Sequence, residues 1–389
     1  MAQLLIVPPD FGPRVAFGST SIHRILLRDA QVLAQCGHEV KVLDTPNWQF
    51  PGDAPYQVVP YDGPARGALL PPERYAAIER NTTNQTLIIL YDPLATLGVG
   101  MASYNLDYGR RYRFPKPVLR FLSNVQEWQG DAAIRKAFAL AIRSYPVIWN
   151  SPQAQMDARE LLRDEGVYRF DDSFWYQVPL SIDTEGIDAA REQMDPKPQV
   201  FTVRAPWNRW VDQKQPDLYL DVAHKVAAAI EAKFQIPLTT DNLTSTAERF
   251  LDDLKQDPAI EVLLDHHPQG DRQAYYRSLG GAHAFLSTSK FESFGLTQLE
   301  YLYAGMVGVY LDVGGYSRQL LPDYPFVVAR EELPSTLLTV ARNYQRSQDL
   351  VDPFREVIRA RYARSVEERA LDETIRDLDA RYARRSLLT

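Results

Sequence analysis

The sequence predicts an α/β protein made of two Rossmann-like, doubly wound domains that face a central cleft. Its 389 residues are too many for one ordinary core and suit two domains of under about 200 residues each. Apolar runs of strand length alternate with segments of helical periodicity, in two separate sets. A polar, proline-bearing segment, Ile187–Pro198, separates the two sets, and we place the interdomain linker there.

The start of the chain already predicts one β-α-β unit. Leu4–Val7 is a short apolar run, typical of a buried parallel strand. Apolar residues at helical spacing follow from Ile22 to Leu33, and Val40–Leu43 returns to a strand pattern. Trp48–Pro72 is rich in proline and glycine and is interpreted as a long loop. Further strands are predicted at Leu87–Leu90, Val118–Leu122, Val147–Trp149 and Trp175–Val178.

A second alternation begins at Val200. Its predicted strands are Val200–Val203, Ile260–Leu264, Ala284–Leu286 and Val307–Leu311, and its predicted helices are Asp217–Lys233, Gln269–Leu279 and Leu296–Ala304. The tail from Pro353 to Arg385 is helical and heavily charged. The predicted domains are therefore residues 1–190 and 191–365, followed by a C-terminal helix over 366–389. For that helix a crossing back to the N-terminal domain is one option.

The composition excludes several classes of protein. The single cysteine, Cys36, excludes a disulfide framework and favours a reducing compartment. No window approaches the ~18–20 consecutive apolar residues of a membrane span, and the N-terminus lacks the pattern of a signal peptide. The net charge of −7 argues against a protein whose whole surface binds nucleic acid. We therefore expect a cytoplasmic protein without an integral membrane segment.

The most informative segment contains two glutamates, Glu292 and Glu300. It predicts a strand, a short loop and a helix that begins near Phe294, Gly295 and Leu296. The amides and the positive dipole end of such a helix form an anion site, and a glycine there permits close approach of a ligand. Glu292 lies in the loop and Glu300 two turns into the helix, so two carboxylates flank a predicted diphosphate site.

This segment resembles the donor-site signature of the family 4 glycosyltransferases, which are retaining enzymes of the GT-B architecture. That signature has two glutamates separated by seven residues with Phe-Gly just inside, and a Gly-Gly near a later strand end. Here the segment continues, in register, to Ala304-Gly305 and to Gly314-Gly315. The resemblance extends at low density over most of the chain, through Gly37–Val40, Asn150–Pro152 and the cations Arg204 and Lys214.

The resemblance implies transfer of a sugar from a nucleoside-diphosphate sugar to an acceptor hydroxyl, with retention of anomeric configuration. It implies that Arg204 and Lys214 neutralise the departing diphosphate, which is a charge-stabilising role. Glu300 would then bind the ribose and Glu292 the donor sugar. No cofactor or metal is expected to be obligatory. The other donor-binding residues that the resemblance implies are Gly18, Phe294, Gly295 and Leu296.

The sequence departs from the family pattern on the acceptor side. Many relatives place a histidine after the fourth strand of the N-terminal domain, where this chain has Asn124, which can hydrogen-bond a sugar hydroxyl but cannot titrate. The glycines usual before Arg204 and after Lys214 are replaced by Val203 and Gln215. These departures leave the predicted fold intact and leave the acceptor chemistry open.

A basic and aromatic segment offers one indication of the acceptor. It contains Arg110, Arg111, Arg113 and Lys116, with Arg120 nearby. Arginine mixed with aromatic residues suits phosphate contacts and base stacking, although a solvated basic loop has the same composition. The acceptors left open are a glycan, a small molecule, a lipid phosphate and DNA that carries hydroxymethylated bases.

Two other functions also fit the sequence. One is a nucleotide-sugar epimerase or a phosphorylase of the same fold. The other is a nucleotide-binding protein that has lost catalysis, which the missing histidine would explain.

Overall fold

A computed structural model gives the fold. It describes residues 1–9, 21–44, 50, 52–61, 72–83, 85–92, 95–97, 99, 116–122, 125, 130–208, 210–240, 245–265, 271–292, 294–313 and 316–386. The chain divides into two compact units, one formed by Met1–Pro179 with Ser365–Thr389 and the other by Leu180–Arg364. Both units are α/β with a parallel sheet, as the sequence predicts.

The first unit is built on a seven-stranded parallel sheet with the order β3-β2-β1-β4-β5-β6-β7. Strands of such a sheet are covered on both faces, so they are almost wholly apolar and buried, as β4 is over its full length. The strands are β1 (Gln3–Val7), β2 (Glu39–Leu43), β3 (Gln57–Val59), β4 (Thr86–Leu90), β5 (Lys116–Phe121), β6 (Val147–Trp149) and β7 (Trp175–Gln177). The helices are α1 (Ser21–Gln35), α2 (Pro72–Arg80), α3 (Ala132–Ser144) and α4 (Pro152–Asp164).

Local sequence signals fix where these helices begin. Asp131 caps α3 by accepting hydrogen bonds from the amides of Ala133 and Ile134 at 2.8 and 3.0 Å. Ser151 caps α4 in the same way, and Pro152 occupies the first helical position, where its fixed φ and missing N–H cost nothing. The Asn-Ser-Pro segment therefore has a structural role at the end of β6.

The second unit has a six-stranded parallel sheet with the order β10-β9-β8-β11-β12-β13. Its strands are β8 (Phe201–Arg204), β9 (Ala232–Leu238), β10 (Ile260–Leu264), β11 (Ala284–Ser287), β12 (Val307–Leu311) and β13 (Val327–Val328). Its helices are α5 (Thr184–Ala190), α6 (Pro216–Ala227), α7 (Ser245–Gln256), α8 (Arg272–Ser278), α9 (Leu296–Ala304), α10 (Tyr316–Leu320), α11 (Leu333–Arg342), α12 (Tyr344–Val351) and α13 (Pro353–Tyr362).

Three sequence predictions differ from these elements. The predicted helix Asp217–Lys233 ends at Ala227, and β9 follows because Ala232, Phe234 and Ile236 alternate inward with polar residues between them. The predicted linker Ile187–Pro198 overlaps α5, whereas the units divide at Pro179 and again at Arg364. The predicted loop Trp48–Pro72 contains β3.

The last helix, α14 (Arg364–Ser386), belongs almost wholly to the first unit. Two of its carboxylates bond residues far away in sequence: Asp372 pairs with His38 Nε2 at 2.8 Å, and Asp377 accepts from the Tyr176 hydroxyl at 2.6 Å. His38 also accepts the amide of Ala2 on Nδ1 at 3.2 Å, which gives it a structural role. None of the described helices is both long enough and apolar enough to span a membrane.

Arg120 is a buried ion-pair residue rather than a member of the basic segment. Its guanidinium is fully buried and lies 3.4 Å from Asp29 and 3.2 Å from Glu367 of α14. It also donates to the carbonyl of Val178 at 3.0 Å, while the Tyr91 hydroxyl donates to Asp29 at 2.8 Å. A charge at this depth is tolerated because it is paired and hydrogen-bonded.

Candidate functional site

The second sheet reverses its direction of growth between β8 and β11. From β8 the chain adds β9 and β10 on one side, and β11, β12 and β13 then continue on the other side. In open parallel sheets, ligands bind beyond the carboxyl ends of the strands at this reversal point. The loops that leave β8 and β11 contain four of the residues predicted from the sequence, namely Lys214, Glu292, Phe294 and Gly295.

These two loops are joined by hydrogen bonds in both directions. The Gln213 side chain donates to the Phe291 carbonyl at 2.9 Å, and the Lys290 amide donates to the Gln213 carbonyl at 2.8 Å. The Thr288 hydroxyl donates to the Lys214 carbonyl at 2.7 Å. The backbone of each loop is thus positioned by the other, which is the preorganisation that a binding site needs.

Lys214 and Glu292 come together at the junction of the two loops. The Lys214 ammonium forms an ion pair with Glu292 Oε1, and the Ser289 hydroxyl donates to the same oxygen at 2.9 Å. The side chains of Lys214 and Glu292 are 17% and 11% exposed, so both are mostly desolvated but remain accessible. In this setting a charge interaction is stronger than it would be in water.

Gln215 adopts a backbone conformation that normally requires glycine. Its φ is 48° and its ψ is 58°, in the left-handed region, and it precedes Pro216 at the first position of α6. Its side-chain amide donates to the Thr288 carbonyl at 2.7 Å, which adds another bond between the two loops. The missing family glycine at this position is therefore replaced by a residue whose side chain holds the strained turn.

The helix α9 begins directly after the second loop. Gly295 precedes its first residue with φ 76°, and a Cβ atom there would lie 2.9 Å from the Tyr316 hydroxyl, so both space and conformation require glycine. Phe294 is buried and packs edge-on against Tyr362 with the ring centres 5.3 Å apart, which leaves only its backbone for a ligand. Leu296 is partly exposed and supplies the first amide of the helix.

Glu300 lies one turn into α9, rather than two as predicted, because the helix begins at Leu296. Its Oε1 accepts from Arg272 at 2.7 Å, and its Oε2 accepts from the Tyr275 hydroxyl at 2.7 Å. Burial of Tyr275 and the neighbouring Glu300 charge raise the pKa of this phenol well above its usual value, so it remains a donor.

Arg204 is not placed with Lys214. It is buried at the end of β8, where its guanidinium donates to the side chain of Gln235 at 2.8 Å and to the carbonyl of Ser278 at 2.9 Å. The Arg204 guanidinium is thus hydrogen-bonded inside the second unit, whereas Lys214 is ion-paired with Glu292. The role predicted for Arg204 therefore has no support from its position.

Of the predicted acceptor residues, the described part of the chain includes Lys116. Lys116 is the first residue of β5, and its ammonium lies over the Tyr382 ring of α14, 5.2 Å from the ring centre. Burial lowers the pKa of Lys116. Lys116 therefore lies at the amino end of β5, whereas Asn124 comes after the carboxyl end of this strand in the sequence. The remaining predicted residues, Gly18, Arg110, Arg111, Arg113 and Asn124, lie outside the described residues.

Several residues of the site escaped the sequence analysis. Gln213 and Thr288 carry no recognisable signal, since their contacts depend on the meeting of two distant loops. Arg272 and Tyr275 stand three apart on a predicted helix, a spacing that places them on one face, but their carboxylate partner is not evident from the sequence. Within the described part of the chain, no three His, Cys, Asp or Glu side chains gather as metal ligands would.

The sequence matches no protein-family model and no curated protein. Solved structures match over almost the full length. A sucrose-phosphate synthase from Thermosynechococcus elongatus aligns with a TM-score of 0.74 at 15% identity, covering 97% of this chain and 99% of that one. The Anabaena protein HepE in complex with UDP-glucose aligns with a TM-score of 0.67 at 12% identity, covering 96% and 99%. A UDP-forming trehalose-phosphate synthase from Burkholderia xenovorans gives 0.65 at 13%, covering 97% and 99%.

The chain has the GT-B fold. The neighbours share its two Rossmann-like domains over nearly their whole length, which confirms the fold class predicted from the sequence. At these identities the likeness concerns the architecture, and the chemistry has to be argued from the residues of the site.

Proposed function

We propose that this chain is a glycosyltransferase that transfers a sugar from a nucleoside-diphosphate sugar to an acceptor hydroxyl with retention of anomeric configuration. One observation carries the proposal: Lys214 is ion-paired with Glu292, in the loop that leads into α9, at the reversal point of the second sheet. A cation and a helix amino terminus in one site suit a diphosphate leaving group. The resemblance of the Glu292–Glu300 segment to the family 4 signature supports the retaining outcome.

Lys214 is the group proposed to stabilise the departing diphosphate. Its ammonium has three donors, and in the structure one of them bonds Glu292. A diphosphate oxygen competes with Glu292 for this cation, and the displaced carboxylate then accepts hydrogen bonds from hydroxyls of the donor sugar. Glu300, one turn further into α9, is proposed to bind the ribose.

We do not assign Arg204 as the second cation of the proposed diphosphate site, because its guanidinium is bonded to Gln235 and Ser278. We propose Arg209 instead, since it stands five residues before Lys214 in the sequence. Arg209 lies outside the described residues, and its position in the sequence supports the assignment. Comparison of Arg209→Ala with Arg204→Ala tests it through the Kd for UDP.

The proposed donor is a UDP-sugar, and the proposed acceptor bears a phosphate. HepE binds UDP-glucose in its structure, and another neighbour is named as UDP-forming, which supports the uridine nucleotide. Two neighbours are named as synthases of sugar phosphates. The basic segment with Arg110, Arg111 and Arg113 gives independent support for a phosphorylated acceptor.

The test is a transfer assay that measures UDP release from UDP-sugars with hexose phosphates, lipid phosphates and hydroxymethylated DNA as acceptors. Lys214→Ala is expected to lower kcat by about 10²–10³-fold, the usual effect of removing one group that stabilises transition-state charge. Lys225→Ala is the matched control, because Lys225 is also ion-paired, 2.7 Å from Asp221, but on the exposed face of α6. It should leave kcat unchanged.

Four results would contradict the proposal. Equal activity of wild type and Lys214→Ala would remove the diphosphate assignment. Conversion of the nucleotide sugar without an acceptor would indicate an epimerase, and phosphate-dependent release of a sugar 1-phosphate would indicate a phosphorylase. Nucleotide binding without turnover for any donor and acceptor would indicate a binding protein.

A further inference from the structure

Two side chains of α8 hold the carboxylate of Glu300 from both sides. Arg272 and Tyr275 each donate one hydrogen bond of 2.7 Å, to Oε1 and Oε2 respectively. The Glu300 side chain is only 8% exposed. A carboxylate offers about four acceptor positions, so each oxygen keeps one position after these bonds are made.

The residues that hold Glu300 are themselves fixed. Arg272 lies over the rings of Tyr275 and Tyr276, with its central carbon 5.2 and 4.8 Å from the ring centres. It donates to the Tyr276 hydroxyl at 2.7 Å, and that hydroxyl lies 3.1 Å from Asp183. Glu300 is thus the last member of a chain of hydrogen bonds that begins at the cap of α5.

The local sequence explains this arrangement. Arg272, Tyr275 and Tyr276 stand at positions i, i+3 and i+4 of α8, which places all three on one face of the helix. Asp271 caps the helix by accepting the Ala274 amide at 2.8 Å, so the first turn that carries Arg272 is anchored. The face of α8 that meets α9 therefore presents a cation and a phenol at a fixed separation.

We propose that Arg272 and Tyr275 are positioning residues that orient the Glu300 carboxylate for the two ribose hydroxyls, so that the site selects ribonucleoside over 2′-deoxyribonucleoside diphosphates. The inference rests on the proposed function. A carboxylate with both oxygens fixed matches a pair of neighbouring hydroxyls, each of which donates to one oxygen. A 2′-deoxyribose leaves one of these acceptors without its donor, which is the mismatch that polar sites reject strongly.

The same contacts also join α8 to α9, so a loss of stability does not by itself test the inference. The discriminating quantity is the ratio of the Kd for a 2′-deoxyribonucleotide to the Kd for the matching ribonucleotide. A purely structural role lowers the affinity for both nucleotides together. A positioning role lowers the affinity for the ribonucleotide alone.

The experiment measures Kd by calorimetry for three pairs: UDP with 2′-deoxy-UDP, GDP with 2′-deoxy-GDP, and ADP with 2′-deoxy-ADP. Wild type is expected to prefer the ribonucleotide of its best pair by about 10- to 100-fold, the worth of a hydrogen bond to a charged group. Tyr275→Phe keeps the ring and deletes only the hydroxyl. It should reduce the preference to below about threefold, while the Kd for the 2′-deoxyribonucleotide changes by less than about twofold.

Tyr303→Phe is the matched control. Tyr303 is a buried tyrosine of α9 whose hydroxyl also donates to a carboxylate at 2.7 Å, but to Asp188 rather than Glu300. This variant should keep the wild-type preference. If Tyr275→Phe does not fold, Arg272→Lys provides the second test, because it keeps the charge but loses the planar fork and its stacking.

The outcomes separate this inference from the proposed function. A nucleotide that binds with an unchanged preference in Tyr275→Phe or Arg272→Lys overturns the positioning role alone. Wild type that binds both members of a pair equally well overturns the ribose selection. Absence of binding for all six nucleotides overturns the proposed function and this inference with it.

Discussion

The strained turn at Gln215 yields a quantitative prediction. A non-glycine residue in the left-handed region costs about 1–2 kcal/mol, and the hydrogen bond from its side chain to Thr288 returns about 1 kcal/mol. Gln215→Ala keeps the strain and loses the bond, so it should destabilise the second unit by about 1 kcal/mol. Gln215→Gly also loses the bond, but it relieves the strain. The greater conformational freedom of glycine in the unfolded chain offsets part of the stability gained in this way.

We therefore expect Gln215→Gly to be close to wild type in stability and about 1 kcal/mol more stable than Gln215→Ala. Urea unfolding measures this difference, which corresponds to roughly 2–4 °C in Tm for a unit of this size. The control pair is Asp323→Ala and Asp323→Gly, because Asp323 also has a positive φ, 63°, away from the site. Both variants of Gln215 should lower turnover equally, since both lose the link between the two loops.

Two results would refute this reasoning. If Gln215→Gly were no more stable than Gln215→Ala while the Asp323 pair differed as expected, the turn would carry no strain. If Gln215→Ala were as stable as wild type, the bond to Thr288 would contribute nothing to the joining of the loops.

Three further predictions concern buried groups and the start of α9. Arg120→Met should destabilise the first unit by about 3–5 kcal/mol at pH 7, because it leaves the buried Asp29 carboxylate without its cation. Burial already raises the pKa of Asp29, so its ionisation costs stability as the pH rises. The loss of unfolding free energy in the variant, measured by urea unfolding, should therefore become smaller as the pH falls and Asp29 takes up a proton. Burial lowers the pKa of His283 from 6.5 to about 4, so the stability of the second unit should fall as the pH drops through this interval, and less steeply in His283→Phe. Gly295→Ala should destabilise by about 1–2 kcal/mol and weaken UDP binding in calorimetry, unlike Gly130→Ala, where a Cβ meets nothing within 4 Å.

The fold was predictable because its signals are local. The apolar runs of β1, β4 and β11 predicted their strands to within one residue at each end, since strands covered on both faces need continuous apolar sequence. The strand β9 was missed because Glu231 and Lys233 continue the charge pattern of α6 and because Pro237 argues against a strand. Its central place in the sheet is decided by pairing with β8 and β10, which a local pattern does not reveal.

The site was predictable in part for the same reason. The segment that carries Glu292, Gly295 and Glu300 is continuous in sequence, so its spacing was informative. The family resemblance assigned Arg204, together with Lys214, to the diphosphate. Strand pairing places Arg204 beside Gln235, and its guanidinium is hydrogen-bonded inside the unit. The burial of a charged residue is a tertiary property, and propensity or spacing does not determine it.

The cations that accompany the two glutamates show where the local information ends. Glu292 is paired with Lys214 from the loop after β8, and Glu300 with Arg272 from α8, so each carboxylate is matched by a charge from a different part of the second unit. The turn at Gly295 keeps the two pairs apart, because it ends one loop and starts the helix that carries Glu300. A positive charge from a distant residue thus lies beside each of the two glutamates. The seven-residue spacing is therefore a local signal, whereas the opposite charges come from residues far away in sequence, which the spacing does not reveal.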